Sequence, residues 1–355
     1  MGMSGGVDSS AAALLLKQQG YDVVGVMLKL WAEEGFGREN QCCSLESANL
    51  ARKIAARIGI PFYLLDVSGA FYASVVQPFI QSYLDGETPN PCAFCNPLVR
   101  WRRLLGYADA IGAGWVATGH YANLQRAADG TVRLFRGINQ DKDQSYIISR
   151  LSQDQLKQSI FPLGEYHKSA VRQLAAEFEL PSASKPDSQD ICFIGDGSYR
   201  NFLLRHAEAA IVPGEIVTTQ GETVGEHAGL PFYTIGQRKG LKIAAPAPYY
   251  VVRKDQATNR LIVGGKDDFS ADLIQLTDCN WPDGTAREGA FAATVQYRYK
   301  AVPKTCTAEA WPDGSIHIHL EDRRNDIACG QIAVLYSDAG EVLASGRIAS
   351  TGILP

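Results

Sequence analysis

Ser4-Gly5-Gly6-Val7-Asp8-Ser9 stands at the head of a 355-residue chain and runs directly into an Ala- and Leu-rich segment, Ser9 to Gln19, closed by Gly20. That segment reads as a helix with a glycine stop, so the run before it is a glycine-rich loop feeding a helix N-terminus. Two glycines let the backbone turn tightly and aim its N–H groups at an anion. The helix N-terminus adds partial positive charge, and the hydroxyls of Ser4, Ser9 and Ser10 add donors. Asp8 would repel a phosphate unless Mg²⁺ lies between them. The loop therefore points to a Mg-nucleotide or Mg-pyrophosphate. It is not a Walker A loop, because the Gly-Lys-Ser/Thr ending is absent, and it is not a dinucleotide GxGxxG.

Outward from the loop, strand and helix patterns alternate. Val23 to Leu28 is a short apolar strand, Leu45 to Ile58 a helix broken by Gly59-Ile60-Pro61, and Phe62 to Asp66 a second strand. Phe71 to Leu84 and Leu98 to Ile111 read as helices, and Trp115 to Thr118 as a third strand. This alternation predicts an α/β domain with a parallel sheet. After about Ala210 the texture changes to short β-branched runs punctuated by Gly, Pro, Asn and Asp, such as GEIVTT, RLIVGG and QIAVLY. The expected architecture is a catalytic α/β domain over 1–208, a small β-rich central domain over 209–270 and a C-terminal β-barrel over 271–355. A phosphate loop of this kind normally follows a buried central strand, and a loop that begins at Gly2 leaves no room for one. The expectation is a misplaced start rather than a sheet without its centre, since a missing central strand would leave neighbouring edges unpaired.

Hydrophobic residues make up 46% and charged residues 20%, which suits globular domains with real cores. No apolar stretch is long enough to span a bilayer, and no signal peptide is visible, so a cytoplasmic protein without membrane contact is expected. A net charge of −4 means that any RNA would have to be attracted by local basic patches. Candidates are Arg100 with Arg102 and Arg103, Arg238 with Lys239, Arg298 with Lys300, and Arg323 with Arg324, each of which also suits an ordinary solvated surface. The eight cysteines are Cys42, Cys43, Cys92, Cys95, Cys192, Cys279, Cys306 and Cys329. In a reducing compartment they serve burial, metal binding or catalysis rather than a disulfide framework. His317 and His319 alternate on a strand pattern and read as a polar sheet face.

Further motifs narrow the function. The chain carries Thr88-Pro89-Asn90-Pro91-Cys92-Ala93-Phe94-Cys95-Asn96, Ala117-Thr118-Gly119-His120-Tyr121 and Asp141-Lys142-Asp143-Gln144-Ser145-Tyr146. Phe161-Pro162-Leu163-Gly164 with Lys168 follows, then Lys185 with Asp187-Ser188 and Ile191-Cys192-Phe193-Ile194-Gly195, then Tyr233 to Gly240 as YTIGQRKG. The SGGVDS loop resembles that of the ATP pyrophosphatases, which split ATP between its α and β phosphates. In this order the motifs resemble the tRNA 2-thiouridylase family, over nearly the whole chain.

That resemblance implies adenylation of the 2-oxygen of wobble uridine 34 in tRNAs for Lys, Glu and Gln. A persulfide sulfur then replaces that oxygen, with AMP and pyrophosphate released. It implies ATP contacts at Gly2, Met3, Ser4, Gly5, Gly6, Val7, Asp8, Ser9, Leu28 and Gly119. Cys192 would carry the persulfide and Cys95 would be the second catalytic thiol, joined to it in a transient disulfide bond. Asn90, Pro91 and Cys92 would lie beside the flipped base, and His120, Lys142, Asp143, Gln144, Arg298, Tyr299 and Gln331 would contact tRNA. A cysteine desulfurase or sulfur relay protein would supply sulfur. The YTIGQRKG segment is expected near the active site, with the β-rich half gripping the tRNA.

The chain departs from the family pattern at one place. The commonest motif has an Asp three residues before the second catalytic Cys, where this chain has Cys92. Three thiolates, Cys92, Cys95 and Cys192, could hold a [4Fe–4S] cluster with one open iron. A metal-free thiol site in which Cys92 replaces the Asp is the alternative. Zinc would need a fourth ligand such as Cys42 or Cys43. Two rival functions also stand at this point: an amide-forming ATP pyrophosphatase, which would have no use for the cysteine trio, and a truncated, non-catalytic RNA-binding homologue.

Overall fold

A computed structural model of the protein describes residues 1–33, 35, 44–186 and 191–353. Cys42, Cys43, Asp187 and Ser188 lie outside the described residues.

The N-terminal domain is built on a parallel sheet. Gly25–Lys29 pairs in parallel with Phe62–Asp66, and Val116–Ala117 with Ser159–Ile160. Between these two pairs lies the chain's own beginning. Gly2 bridges Val26 in parallel, the Met3 amide donates to the Val26 carbonyl at 2.8 Å, and the Gly2 amide donates to the Ala117 carbonyl at 2.8 Å. The sheet therefore has its centre, as expected: 1–3 occupies the central position, and Met3 is buried against Val7, Leu14 and Ile54. The stretch is too short to show as a strand pattern in the sequence.

Helices flank this sheet for readable reasons. Leu45–Ile58 has the predicted bounds because the Ser44 side chain caps its start and Gly59 ends it at φ 76°, a left-handed conformation that costs glycine little. The helical run before Leu84 contains a π-helical turn at Tyr72–Val76, and a second π turn, Asn96–Trp101, separates Pro91–Cys95 from Arg102–Ala110. The helix expected from Leu98 thus starts earlier, at Pro91, and both Cys92 and Cys95 are helical. No helix among the described residues is long and apolar enough to cross a membrane.

The central region forms a four-stranded sheet with the order Thr223–His227, Gly214–Thr218, Arg260–Gly264, Tyr250–Asp255. The C-terminal region closes into a barrel whose strands are Ala271–Asn280, Ile316–Arg324, Lys304–Ala310, Gly289–Gln296, Ile332–Tyr336 and Val342–Gly352, in order around the wall. On Ile316–Arg324 the isoleucines face the barrel core while His317 points outward and stacks on Trp311 at 4.8 Å, the polar-face arrangement expected of His317 and His319.

The barrel is not a loosely tethered appendage. One apolar cluster mixes Ala93, Trp101, Leu134 and Tyr146 of the first domain with Ile332, Val334, Tyr336 and Val342 of the barrel. The Tyr146 hydroxyl donates to the Ile332 carbonyl at 2.7 Å, and the Arg136 guanidinium lies 3.5 Å over the Tyr336 ring. Burial of this mixed surface ties the two domains together.

Candidate active site

The phosphate loop leads from the central position of the sheet into helix Val7–Gln18. Gly5 sits at φ 71°, and a Cβ there would lie 2.8 Å from the Ser47 carbonyl oxygen. The Ser4 amide donates to Ser9 Oγ at 3.1 Å, while the Ser9 and Ser10 hydroxyls donate to the Gly6 carbonyl at 3.1 and 2.7 Å. These bonds fix the loop before any ligand arrives. Gly119 supports it from the loop just after strand Val116–Ala117, where a Cβ would fall 2.8 Å from the Asp8 carbonyl carbon and the Ser9 nitrogen.

A cavity of about 420 Å³ opens over this loop at the C-terminal ends of the parallel strands. That is where ligands bind in open α/β sheets, at the point where strand order reverses. Of the residues expected to bind ATP, Gly2, Met3, Ser4, Gly6, Val7, Asp8, Ser9, Leu28 and Gly119 line it, and Gly5 shapes the turn behind it. His120, Lys142, Gln144 and Tyr299, expected to contact tRNA, line the same cavity. Arg100 and Lys300 join them from the basic runs noted in the sequence.

Asp8 has cationic company. Lys168, at the start of helix Lys168–Glu177, places its ammonium 2.6 and 2.7 Å from the two carboxylate oxygens, and the Tyr121 hydroxyl donates to Oδ1 at 2.7 Å. An anion approaching the loop thus meets a carboxylate whose charge is already compensated. Sequence reading placed Lys168 in a motif but gave it no role, because the pair spans 160 residues of chain. His120 accepts from or donates to Thr118 Oγ1 at 2.8 Å and packs near Trp101 and Phe161. Removal from water, then the Arg100 charge, pushes its imidazole down to about 3, so it is neutral at ordinary pH.

Other expected residues act on the framework. Asp143 accepts from Arg136, the Gly137 amide, and the amide and hydroxyl of Ser145, so it organises its own loop instead of facing the cavity. Gln331 donates its side-chain amide to the Thr88 and Pro89 carbonyls at 2.8 and 3.4 Å, while the Thr88 amide donates to the Cys329 carbonyl at 2.9 Å. Arg347 also pairs with Glu87. The barrel thereby anchors the segment leading to Asn90, which caps helix Pro91–Cys95 by accepting from the Ala93 amide at 3.4 Å. Arg298 pairs with Asp326 at 3.6 Å, as does Arg324, and Arg323 pairs with Asp272 at 3.2 Å. The YTIGQRKG segment does not line the cavity, but Tyr233 belongs to the apolar cluster that holds Cys95, with Ile235 and Cys192 packed against it; the Tyr233 carbonyl accepts from Lys254, and the preceding Phe232 carbonyl accepts from Tyr199 and Arg200.

Cys92 is exposed, Cys95 buried and Cys192 partly buried; all are thiols, with no disulfide among the described cysteines. Cys95 belongs to the core cluster against which Cys192 packs. Burial, then the charges of Asp143 and Cys92, push the Tyr299 phenol up. Among the described residues, no three His, Cys, Asp or Glu side chains are grouped so as to hold a metal ion. The donor arrangement thus does not fit the expected cluster at Cys92, Cys95 and Cys192. Cys92 and Cys95 stand one helical turn apart on Pro91–Cys95, Cys92 exposed and Cys95 buried. Burial pushes the Cys279 and Cys306 thiols up to about 11 and about 12, as suits small apolar fillers.

The fold and the loop together define an ATP-pyrophosphatase-type nucleotide-binding domain carrying two β modules. Residues 1–196 match the family described as the tRNA methyl transferase HUP domain, 200–265 the tRNA methyl transferase PRC-barrel domain, and 271–348 the aminomethyltransferase beta-barrel domain. A tRNA-specific 2-thiouridylase MnmA from Chloroflexus aggregans is 44% identical over 98% of this chain and 97% of its own length. The Clostridium perfringens protein of the same name is 40% identical over 95% of this chain and 94% of its own. The chain belongs to the tRNA-specific 2-thiouridylase MnmA family. A solved U34-tRNA thiolase from Methanococcus maripaludis overlaps 59% of this chain and 66% of its own at 20% identity, with a TM-score of 0.34, too loosely to carry an argument.

Proposed function

We propose that this protein is a tRNA-uridine 2-sulfurtransferase acting on wobble uridine 34 of tRNAs for Lys, Glu and Gln. ATP lies along the phosphate loop with its adenine between Leu28 and Gly119. The uridine 2-oxygen attacks the α-phosphate, and pyrophosphate leaves. The terminal sulfur of a Cys192 persulfide attacks C2, and the oxygen departs as part of AMP. Cys95 attacks the inner sulfur of Cys192, breaking the S–S bond to the transferred atom and forming a disulfide. An external thiol reduces it, and a cysteine desulfurase or relay protein reloads Cys192. Depressed thiol pKa and exclusion of water are what such a nucleophile needs.

The protein's own residues do the positioning. Loop amides and Ser hydroxyls hold the phosphates, and Lys168 offsets Asp8. The Asp8 carboxylate and neighbouring Ser hydroxyls are the hard oxygen donors that suit Mg²⁺, which would neutralise phosphate charge. Neutral His120 offers a hydrogen bond without a charge. Tyr299 supplies an aromatic face for a base removed from its stack. We take 1–208 as catalytic, 209–270 as a spacer module and 271–355 as the barrel that covers the pocket. No step passes through an iron–sulfur cluster.

The observation that carries the reading is the position of Tyr299. It walls the nucleotide cavity together with the phosphate loop, His120 and Lys142, which supports a nucleotide and a displaced base sharing one enclosure. The test is to supply unmodified tRNA, Mg-ATP, cysteine and a cysteine desulfurase, then measure pyrophosphate release and 2-thiouridine. Cys192→Ser should still release pyrophosphate in a tRNA-dependent way and make no thiouridine. Absence of tRNA-dependent pyrophosphate release in the wild type, or thiolation by Cys192→Ser, would overturn the reading.

A further inference from the structure

We propose that Arg205 is a positioning residue for sulfur transfer, clamping the Cys192 segment to the wall of the nucleotide cavity through Asp196 on one side and Glu33 on the other. The inference rests on reading Cys192 as the sulfur carrier.

Arg205 lies on helix Tyr199–Ala207, which follows the Cys192 segment directly. Its guanidinium forks onto Glu33, Nε to Oε1 at 2.5 Å and Nη2 to Oε2 at 2.7 Å, and Nη1 reaches Asp196 Oδ2 at 3.0 Å. His206 Nε2 lies 2.9 Å from the same Glu33 carboxylate. The Glu33 side chain is only 6% exposed, so its charge is confined to this geometry; burial pushes its carboxyl up, but the hydrogen bonds from Arg205 and His206 outweigh this and hold it below the usual range.

The two carboxylates belong to different parts of the site. Glu33 ends the stretch whose Leu28 and Leu30 wall the cavity. Asp196 follows Cys192 by one short turn and accepts from the Ser198 amide at 3.0 Å and from Asn201 at 3.0 Å. Packing repeats the link: Trp31 contacts Phe202 and His206, and Phe193, next to Cys192, contacts Phe202. One side chain that can bond two carboxylates at fixed angles thus sets the Cys192 segment against the nucleotide wall. A lysine has the charge but not the planar fork.

Arg205→Lys keeps a cation beside Glu33, and Asp196→Asn leaves the Glu33 pair intact, so both should fold. In each, ATP KM and tRNA-dependent pyrophosphate release should stay within about two-fold of wild type, while thiouridine formation slows by about ten-fold or more, since small misplacements of a nucleophile are costly. Alkylation of Cys192 by iodoacetamide, read by peptide mass spectrometry, should change several-fold without a matching change at Cys306. Unchanged thiolation and alkylation would overturn the proposal. So would parallel losses of pyrophosphate release and thiolation with a lowered melting temperature, the mark of a merely structural pair. If wild type made no thiouridine while the variants still altered Cys192 alkylation, the clamp would stand and the sulfur-carrier role would fall.

Discussion

The Lys168 ammonium straddles the Asp8 carboxylate, 2.6 and 2.7 Å from its two oxygens, at the mouth of the phosphate loop. The Lys168 side chain is 12% exposed, so the pair works in a partly water-excluded place where charge is poorly screened. Lys168→Met should leave Asp8 facing the phosphates uncompensated. TRNA-dependent pyrophosphate release should fall by about a hundred-fold, the usual scale for losing one charged group at a site of developing anionic charge. Lys168→Arg should recover part of it. Activity within two-fold of wild type in Lys168→Met, measured by pyrophosphate release, would contradict this.

Gly119 lets the segment after Val116–Ala117 approach the phosphate loop until backbone touches backbone. An added methyl would lie 2.8 Å from Asp8 and Ser9 main-chain atoms, neither of which can swing aside. Gly119→Ala should cost about 1–3 kcal/mol of stability, as overpacking does, and should raise the ATP dissociation constant because the displaced atoms belong to the anion site. Denaturant titration and nucleotide binding by calorimetry check both parts.

His120 gives a pH prediction. Its folded value near 3 lies below the ordinary 6.5, so the unfolded chain takes up a proton that the folded protein resists. The stability from this group is complete above about 6.5 and is lost as pH falls toward the folded value. Between about pH 6.5 and pH 5 the wild type should lose about 1 kcal/mol more than His120→Gln, a figure set below the full linkage value because His120 borders an open cavity. Equal losses in the two proteins would show that His120 does not resist protonation. The activity profile should show no limb from His120 above about pH 5.

The cysteines can be sorted by metal analysis. Protein purified without oxygen should contain no stoichiometric iron or sulfide, and Cys92→Ala should thiolate tRNA within about ten-fold of wild type, whereas Cys95→Ser should be inactive in turnover. Iron and sulfide near four each, lost in Cys92→Ala, would restore a three-thiolate cluster.

Local rules made much of the fold legible. Leu45–Ile58 was readable because a Ser cap and a left-handed glycine mark its ends, and SGGVDS because an anion loop needs small residues before a helix. The central position of 1–3 was not, since pairing of so short a stretch depends on strands brought alongside from Val26 and Ala117. The mixed core of Tyr146 with Ile332 was equally hidden. Among site residues, the loop lining followed from sequence, but Lys168, Arg205 and Glu33 owe their places to ion pairs across 160 and 172 residues, which no local pattern records. The cysteine spacing did not record burial: of the Cys-x-x-Cys pair on one helix, the first thiol is exposed and the second lies in the core.

Gln331 bonds to Thr88 across 243 residues of chain. On the ribosome, the segment leading to Asn90 and Cys92 therefore emerges long before the strand that anchors it. At about 5–20 residues per second the interval is roughly 12 to 50 seconds. A nascent chain can complete its phosphate loop during that time, but the neighbourhood of Cys92 gains its anchors only when the last strands close the barrel. The timing of synthesis thus delays chemistry until the whole chain has been made, and an incomplete translation product would bind nucleotide without an ordered place to use it.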